Sequence, residues 1–459
     1  MGKVKVLTAR QAADLIKDGD TVTLSGFVAN GIAEALNAAA EERFLETGHP
    51  KDLTLFWVAG TGNKDGSHAD HYAHEGMVKK VIGGHFNFVP KICEMLSENK
   101  IEGYNVPQGA IAQMLRDNAA HKVGTISHVG IGTFADPRNG GGRLSEKTKE
   151  DIVKIIELEG QEQLFYPRIP LDVAFIRGTY ADELGNITLE KEMAPLDATS
   201  QAMAVHNNGG LVVVQVERVV KAGHLDPKLV KIPGIYVDAV VECPADDPKQ
   251  SQSINCTYDP AYAGNTQVPV SSLEPKKLDA KKIIGRRAAM ELKKNVVVNL
   301  GVGVPEWVSS VAAEEGVADE MTLTVECGPV GGVPGGGLRF GGSVNAQAYM
   351  DEGYQFDFYD GGGLDLCFLG LAEVDNNGDV NVSRLGTRIT GSGGFTNISS
   401  NSKKAVFCGT FTNGVKIQTG DGKLTILEEG KKHKFVKKVT EITFSGVVAG
   451  KAGKDVLYV

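Results

Sequence analysis

The chain predicts an α/β fold built from two tandem, duplicated open domains with largely parallel sheets, and three observations carry that prediction. Apolar β-branched runs such as Leu211–Val216 (LVVVQV) alternate with amphipathic stretches such as residues 280–292, the pattern of parallel strands joined by crossover helices. The sequence repeats itself in order. Between the copies, residues 243–279 are polar and carry Pro244, Pro248, Pro260, Pro269 and Pro275, the composition of a linker. The predicted division is therefore a first domain over 1–242, a linker over 243–279 and a second domain over 280–459.

The repeat is read element by element. Residues 19–27 (GDTVTLSGF) form a strand that runs into a glycine turn, with a helix following through residues 32–36. Residues 295–303 (NVVVNLGVG) repeat it and lead into Pro305-Glu306-Trp307-Val308, where a proline in the first turn suits a helix N-terminus. Residues 51–60 (KDLTLFWVAG) match residues 319–328 (DEMTLTVECG). Residues 180–188 (YADELGNIT) match residues 373–381 (EVDNNGDVN), each an acidic, glycine-containing turn that leads into a strand. The period is far too long for a solenoid, so a domain duplication is the reading.

Composition narrows the function. A formal charge of −9, from 48 basic and 57 acidic residues, with no basic run interleaved with aromatics, excludes a nucleic-acid footprint. It leaves room for a small anionic ligand, whose phosphates need only local cations or helix N-termini. Six cysteines without a CxxC pair argue against a zinc ribbon or a disulfide framework and predict a reducing, cytoplasmic compartment. There is no apolar signal core at the N-terminus, and no stretch approaches the ~20 apolar residues of a membrane span, so no membrane partner is expected.

The most informative segment is residues 322–337 (TLTVECGPVGGVPGGG), a strand that delivers Glu326 to the lip of a glycine-rich loop. A strand end is rigid, and loop N–H groups can face developing negative charge, an arrangement that suits a carboxylate nucleophile. The plainer alternative is an acid that caps the next helix. The first copy carries Val58-Ala59-Gly60 at the corresponding strand end, with no carboxylate, so the duplication has diverged at its reactive residue. The Gly301-Val302-Gly303 turn lacks full GxGxxG spacing, which argues against a dinucleotide, but it suits an oxyanion. Gly391-Ser392-Gly393-Gly394-Phe395 is a second flexible turn in the same half and Asp360-Gly361-Gly362-Gly363 a third; either suits a plain loop, the reading favoured for the latter. His68, His71 and His74 have metal-like spacing, yet on a helix they spread over an arc of about 120°, too wide for one tetrahedral ion. They are read as a solvated helix face, and no metal is expected.

With these residues on the page, the chain resembles the family I coenzyme A transferases. The stretch from Asp18-Gly19 through Gly26-Phe27 to Gly31 is similar to the first signature of that family, with Ser25 and Ala33 in place of its usual Gly and Pro. Val325-Glu326-Cys327-Gly328 is similar to the second signature, with Cys327 in the Asn position and Val325 in the Ser position. The likeness runs over essentially the whole chain and is greatest to the propionate CoA-transferase branch, through segments such as Leu164-Phe165-Tyr166-Pro167 and Tyr354-Gln355-Phe356-Asp357. Members of that branch continue beyond the strand expected at Val456 to Val459, so the resemblance implies a chain shorter than its relatives.

The resemblance implies that Glu326 carries CoA as a γ-glutamyl thioester and that the N–H groups of Val302 and Gly394 form an oxyanion hole, with Gly301, Gly303 and Gly393 around them. It implies that Gly26, Phe27, Val28 and Gly31 wall the acyl pocket and that Gln108 holds the substrate carboxylate. The activity it implies moves CoA between short-chain acyl-CoA (propionyl, acetyl, lactoyl, butyryl) and a free carboxylate such as acetate or propionate. Coenzyme A is then a substrate, no cofactor is permanently bound, and a homo-oligomer, often a tetramer, is expected. Two alternatives stay open: an acyl-CoA hydrolase on the same scaffold, and a non-enzymatic small-molecule sensor.

Overall fold

The computed structural model describes residues 2–269 and 277–459. Pro275, read as part of the linker, lies outside the described residues. The first half builds β1 (Lys5–Leu7), β2 (Thr21–Leu24), β3 (Leu53–Trp57), β4 (Val78–Gly83), β5 (Glu102–Asn105), β6 (Val173–Arg177), β7 (Leu211–Val216) and β8 (Ala239–Glu242). They form one sheet in the order β1-β8-β7-β6-β2-β3-β4-β5, parallel throughout. β6 and β7 are apolar on both faces and buried, as helix-covered parallel strands must be.

The second half builds β9 (Val297–Leu300), β10 (Thr322–Thr324), β11 (Pro329–Val330), β12 (Ala348–Tyr349), β13 (Leu366–Gly370), β14 (Lys404–Cys408) and β15 (Asp455–Tyr458), in the order β12-β11-β10-β9-β13-β14-β15. The order β8-β7-β6-β2-β3 of the first sheet recurs as β15-β14-β13-β9-β10 of the second. β2 and β9 begin at aligned positions of the repeat, Thr21 and Val297. The acidic turns also correspond, each closing a short antiparallel pair, Tyr180–Asp182 with Ile187–Thr188 and Glu373–Val374 with Val380–Asn381. The copies part at one edge, where parallel β4 and β5 give way to antiparallel β11 and β12.

The halves meet through helices. Gln108–Ala119 lies against Glu352–Asp360 and Phe395–Asn401, with Arg116 Nη2 donating to Asp357 Oδ1 at 2.7 Å and the Gly109 N–H donating to Asn397 Oδ1 at 3.1 Å. Only a glycine fits at 109, because a Cβ there would fall 2.4 Å from Asn397 Nδ2. One apolar cluster runs from Ile82, Tyr104 and Ile111 to Phe356, Tyr359 and Phe407. Residues between the halves are also anchored: the Ile254 N–H donates to Ala29 O at 2.8 Å and Ser253 Oγ donates to Leu338 O at 2.8 Å.

Two local expectations are corrected. The helix expected over 280–292 stops at Ala280–Ala289, because Met290 caps it and the next residues close a turn. The histidine segment is no solvated helix face: His68–Tyr72 is a 3₁₀ turn with His68, Asp70 and Tyr72 buried. It packs on helix Glu34–Thr47, where His71 Nε2 bonds to Glu34 Oε1 and His74 Nε2 bonds to Glu41 Oε1, both at 2.7 Å. Periodicity reads exposure poorly here, since two carboxylates on a neighbouring helix compensate for the partial burial of His71 and His74.

Candidate active site

Strands of both sheets end at one cleft of about 210 Å³, lined from the first half by Val28, Gly60, His85 and Gln108 and from the second by Asn299, Gly301, Val302, Glu326, Gly393 and Gly394. A site beyond the C-terminal ends of parallel strands is the usual place in open α/β sheets. Here the β3, β4 and β5 ends of one sheet face the β9, β10 and β13 ends of the other.

Glu326 stands two residues past β10 in a tight turn. The Val325 N–H bonds to Pro329 O and the Gly328 N–H bonds to Val325 O, both at 3.0 Å. Gly328 takes φ +138°, and a Cβ there would fall 2.3 Å from Met350 O. The turn sends the chain back as antiparallel β11, which corrects the expectation drawn from the glycine-rich run: residues 331–337 leave the cleft. The glycines that line it with Glu326 are Gly301, Gly391, Gly393 and Gly394 of the two later turns, with Gly60 and Gly370 at strand ends.

Glu326 is only 9% exposed. Burial raises its pKa to about 7, against the pull of its own backbone N–H and of Asn299. Asn299 Nδ2 lies 3.5 Å from Glu326 Oε2 and also reaches Thr324 O at 3.3 Å. Behind it, the Tyr359 hydroxyl donates to Thr324 Oγ1 at 2.8 Å and accepts from Gln355 Nε2 at 2.9 Å. Among the described residues, this buried polar network holds the one donor side chain that reaches the glutamate.

The two glycine turns offer backbone donors. In the first, the Gly301 N–H is bound to Phe368 O at 2.8 Å and the Gly303 N–H to Glu306 Oε1 at 2.7 Å. In the second, the Ser392 N–H is bound to Asn105 Oδ1 at 3.0 Å, the Gly393 N–H to Gly84 O at 2.7 Å and the Phe395 N–H to Ser392 O at 3.1 Å. Among the described residues, the N–H groups of Val302 and Gly394 have no protein acceptor. A Cβ on Gly394 would sit 3.5 Å from Glu326 Cγ, so that donor adjoins the carboxylate. A desolvated carboxylate beside the open Gly394 N–H, in a cleft that Val302 also lines, has the elements needed to attack a carbonyl whose oxygen gains charge.

The other predicted residues divide. Val28 lines the cleft and takes φ +52°, uncommon for a β-branched residue. Gly26, Phe27, Gly31 and Gly303 are not in its wall. Phe27 stacks on Phe340 at 5.8 Å, Gly31 abuts Leu196, and Gly26 abuts Thr61. Gln108 lines the cleft, and its Nε2 donates to Glu352 Oε1 at 2.6 Å. Asp360, beside the turn read as a plain loop, accepts from Asn397 and Asn401. Among the described residues no group of three or more His, Cys, Asp or Glu side chains is placed to hold a metal ion.

Sequence reasoning missed Asn299, His85 and Glu352. Asn299 had a signal, as the one polar side chain inside the apolar run VVNL. His85 lines the cleft, and burial lowers its pKa to about 4, helped by Lys64 and Arg388. Nothing in the sequence set Glu352 apart from an ordinary acid in the first turn of a helix.

Residues 6–243 match the model of the coenzyme A transferase family. The chain is 44% identical over its whole length to the acetate CoA-transferase YdiF of Escherichia coli O157:H7, covering 86% of that protein. It is 42% identical to the caffeate CoA-transferase of Acetobacterium woodii, over 99% of this chain and 88% of that one. The crystal structure of YdiF apoenzyme superposes with a TM-score of 0.94 at 43% identity, over 100% of this chain and 87% of that one. A second YdiF structure, a thioester complex with CoA, superposes with the same TM-score at 42% identity. With the duplicated fold and the cleft around Glu326, these matches establish that the chain belongs to the family I coenzyme A transferases and is a CoA-transferase.

Proposed function

We propose that the enzyme moves CoA between a short-chain acyl-CoA, such as propionyl-, acetyl-, lactoyl- or butyryl-CoA, and a free carboxylate such as acetate or propionate, through a γ-glutamyl-CoA thioester on Glu326. The observation that carries the reading is a single buried carboxylate beside the open N–H groups of Val302 and Gly394. In the ionised form, Glu326 attacks the thioester carbonyl, a C–O bond forms and CoA leaves as thiolate, giving an acyl-glutamyl anhydride. The thiolate then attacks the Glu326 carbonyl, the anhydride C–O bond breaks and the first carboxylate departs. The acceptor acid repeats these steps in reverse, so no proton, metal or nucleotide is consumed.

Each addition places negative charge on a carbonyl oxygen, and one preorganised backbone donor there is worth about 3 kcal/mol. Both intermediates hydrolyse if water enters, so a cleft closed by two halves favours transfer. The name of YdiF as an acetate CoA-transferase supports a short acid as acceptor. The reading includes Gly301 and Gly393 as framework of the oxyanion site with Gly303 behind them, Val28 on the acyl side with Gly26, Phe27 and Gly31 behind it, and Gln108 on the substrate carboxylate. It also includes the division at 1–242, 243–279 and 280–459, and a cytosolic homo-oligomer, with a tetramer the form the resemblance implies.

The test is CoA transfer from propionyl-CoA with and without acetate. Acetyl-CoA formed in proportion to propionyl-CoA lost supports the proposal, and free CoA released at the same rate without acetate rejects it in favour of a hydrolase.

A further inference from the structure

Gln108 is 2% exposed, begins the helix Gln108–Ala119, and is fixed at the cleft by its own N–H, which donates to Gly393 O at 3.1 Å. Its side chain is not free to turn. Nε2 donates at 2.6 Å to Oε1 of Glu352, and a Cβ on Gly393 would sit 3.4 Å from Gln108 Oε1, so the amide oxygen faces the Gly393 turn. Glu352 is fully buried at the start of the opposing helix, and its N–H donates to Leu196 O at 3.0 Å, which sets it beside Asp197. One oxygen of each acid, Glu352 Oε2 and Asp197 Oδ1, is buried and meets no donor.

Two adjoining acids with no donor between them cannot both be ionised out of water, and one shared proton satisfies both orphan oxygens. Burial and Asp197 hold the Glu352 pKa well above the usual carboxylate range, and Glu326 adds to this. Burial, with Asp351 adding to it, raises Asp197 to about 7 against the pull of its bond to Glu352 and of Arg116. Arg116 is itself paired with Asp357 and Asp351 lies 3.8 Å from Lys231, while the Cys327 thiol beside Glu352 is pushed up by burial and by Glu352 and so stays neutral.

We propose that Glu352, through a proton it shares with Asp197, is the positioning residue that holds the Gln108 amide in the cleft. This rests on the reading that a carboxylate substrate meets Gln108. The protonated Glu352 Oε2 donates to Asp197 Oδ1 while Glu352 Oε1 accepts from Gln108, so the chain Asp197, Glu352, Gln108 spans the two halves and ends at the substrate. No bond to substrate is made by Glu352 itself. Loss of the shared proton would set two buried carboxylates against each other.

The experiment compares Glu352→Leu, Gln108→Leu, the double variant and Glu352→Gln, with propionyl-CoA as donor and acetate varied. Glu352→Leu and Gln108→Leu each raise the KM for acetate about tenfold, the scale of a lost buried partner, and the double variant raises it no further. Glu352→Gln, which still accepts from Gln108 and donates to Asp197, recovers the KM to within about threefold. KM effects that multiply, or a Glu352→Gln enzyme as impaired as Glu352→Leu, overturn the proposal. The shared proton is tested without substrate by the melting temperature between pH 6 and 9, which falls more steeply in the wild type than in Glu352→Gln, and equal slopes overturn it. Failure of the wild type to form a thioester on Glu326 would count against the proposed function, and the melting comparison would still decide this inference.

Discussion

Asn299 Nδ2 reaches Glu326 Oε2 from the neighbouring parallel strand, 3.5 Å away. The relationship follows from register: Asn299 pairs with Thr324, two residues before the glutamate, so the amide and the carboxylate leave adjacent strand ends together. Among the described residues, it is the one side-chain hydrogen bond that opposes desolvation of Glu326.

Removing that donor should raise the Glu326 pKa further. In Asn299→Leu the acid limb of kcat/KM moves to higher pH, and activity at pH 7 falls about tenfold, the scale of one hydrogen bond to a charged group. A pH-rate profile with propionyl-CoA checks this.

The carboxyl of Glu326, raised to about 7, must lose its proton to act as nucleophile, so kcat/KM should fall as pH drops below about 7. The same shift acts on stability with a definite sign. A raised carboxyl pKa means the folded state binds more protons, so stability falls as pH rises from the unfolded value near 4.3 to the folded one and is level above it. Glu326→Gln removes that cost and should stabilise the protein at pH 8 by roughly 3 kcal/mol while abolishing transfer. Denaturant titration at pH 5 and pH 8 checks both.

The Gly394 N–H is tested by deleting it. Gly394 has φ −75°, which proline also adopts. Gly394→Pro should lower kcat by about 10²–10³, the effect of one oxyanion donor, and Gly394→Ala much less. The alanine control separates the donor from bulk, since its Cβ would meet Ile398 Cδ1 at 3.1 Å. Equal losses in the two variants would reject the role.

His71 lies between Glu34 and Glu41. Burial works against its charge, but bonds to both carboxylates win and raise its pKa. Stability from this contact is full below the unfolded histidine value near 6.5 and is lost as pH rises through the folded value. His71→Leu should therefore cost roughly 1–2 kcal/mol at pH 6 and less at pH 9. Thermal melts at the two pH values check the sign.

Much of the fold was legible because the chain states it twice. β2 and β9 begin at aligned residues, and burial of both strand faces writes runs such as LVVVQV plainly. Glu326 was legible as a carboxylate at a strand end, and Val302 and Gly394 through the family resemblance. The part that stayed hidden depends on contacts between distant residues. The turn after Val325 carries the glycine-rich run away from the cleft, and Phe27 turns to Phe340 although Val28 reaches the wall. Glu352 looks like any first-turn acid until the opposing half places Gln108 and Asp197 against it. Local pattern does not encode such pairings.

The central claim is a thioester between CoA and Glu326, and the most direct test is intact-protein mass after incubation with propionyl-CoA, followed by borohydride or hydroxylamine trapping and peptide mapping. The expected result is a CoA-sized adduct whose trapped remnant maps to the peptide holding Glu326 and is missing in Glu326→Gln. A folded protein that turns over propionyl-CoA and acetate without any adduct on that peptide would contradict it.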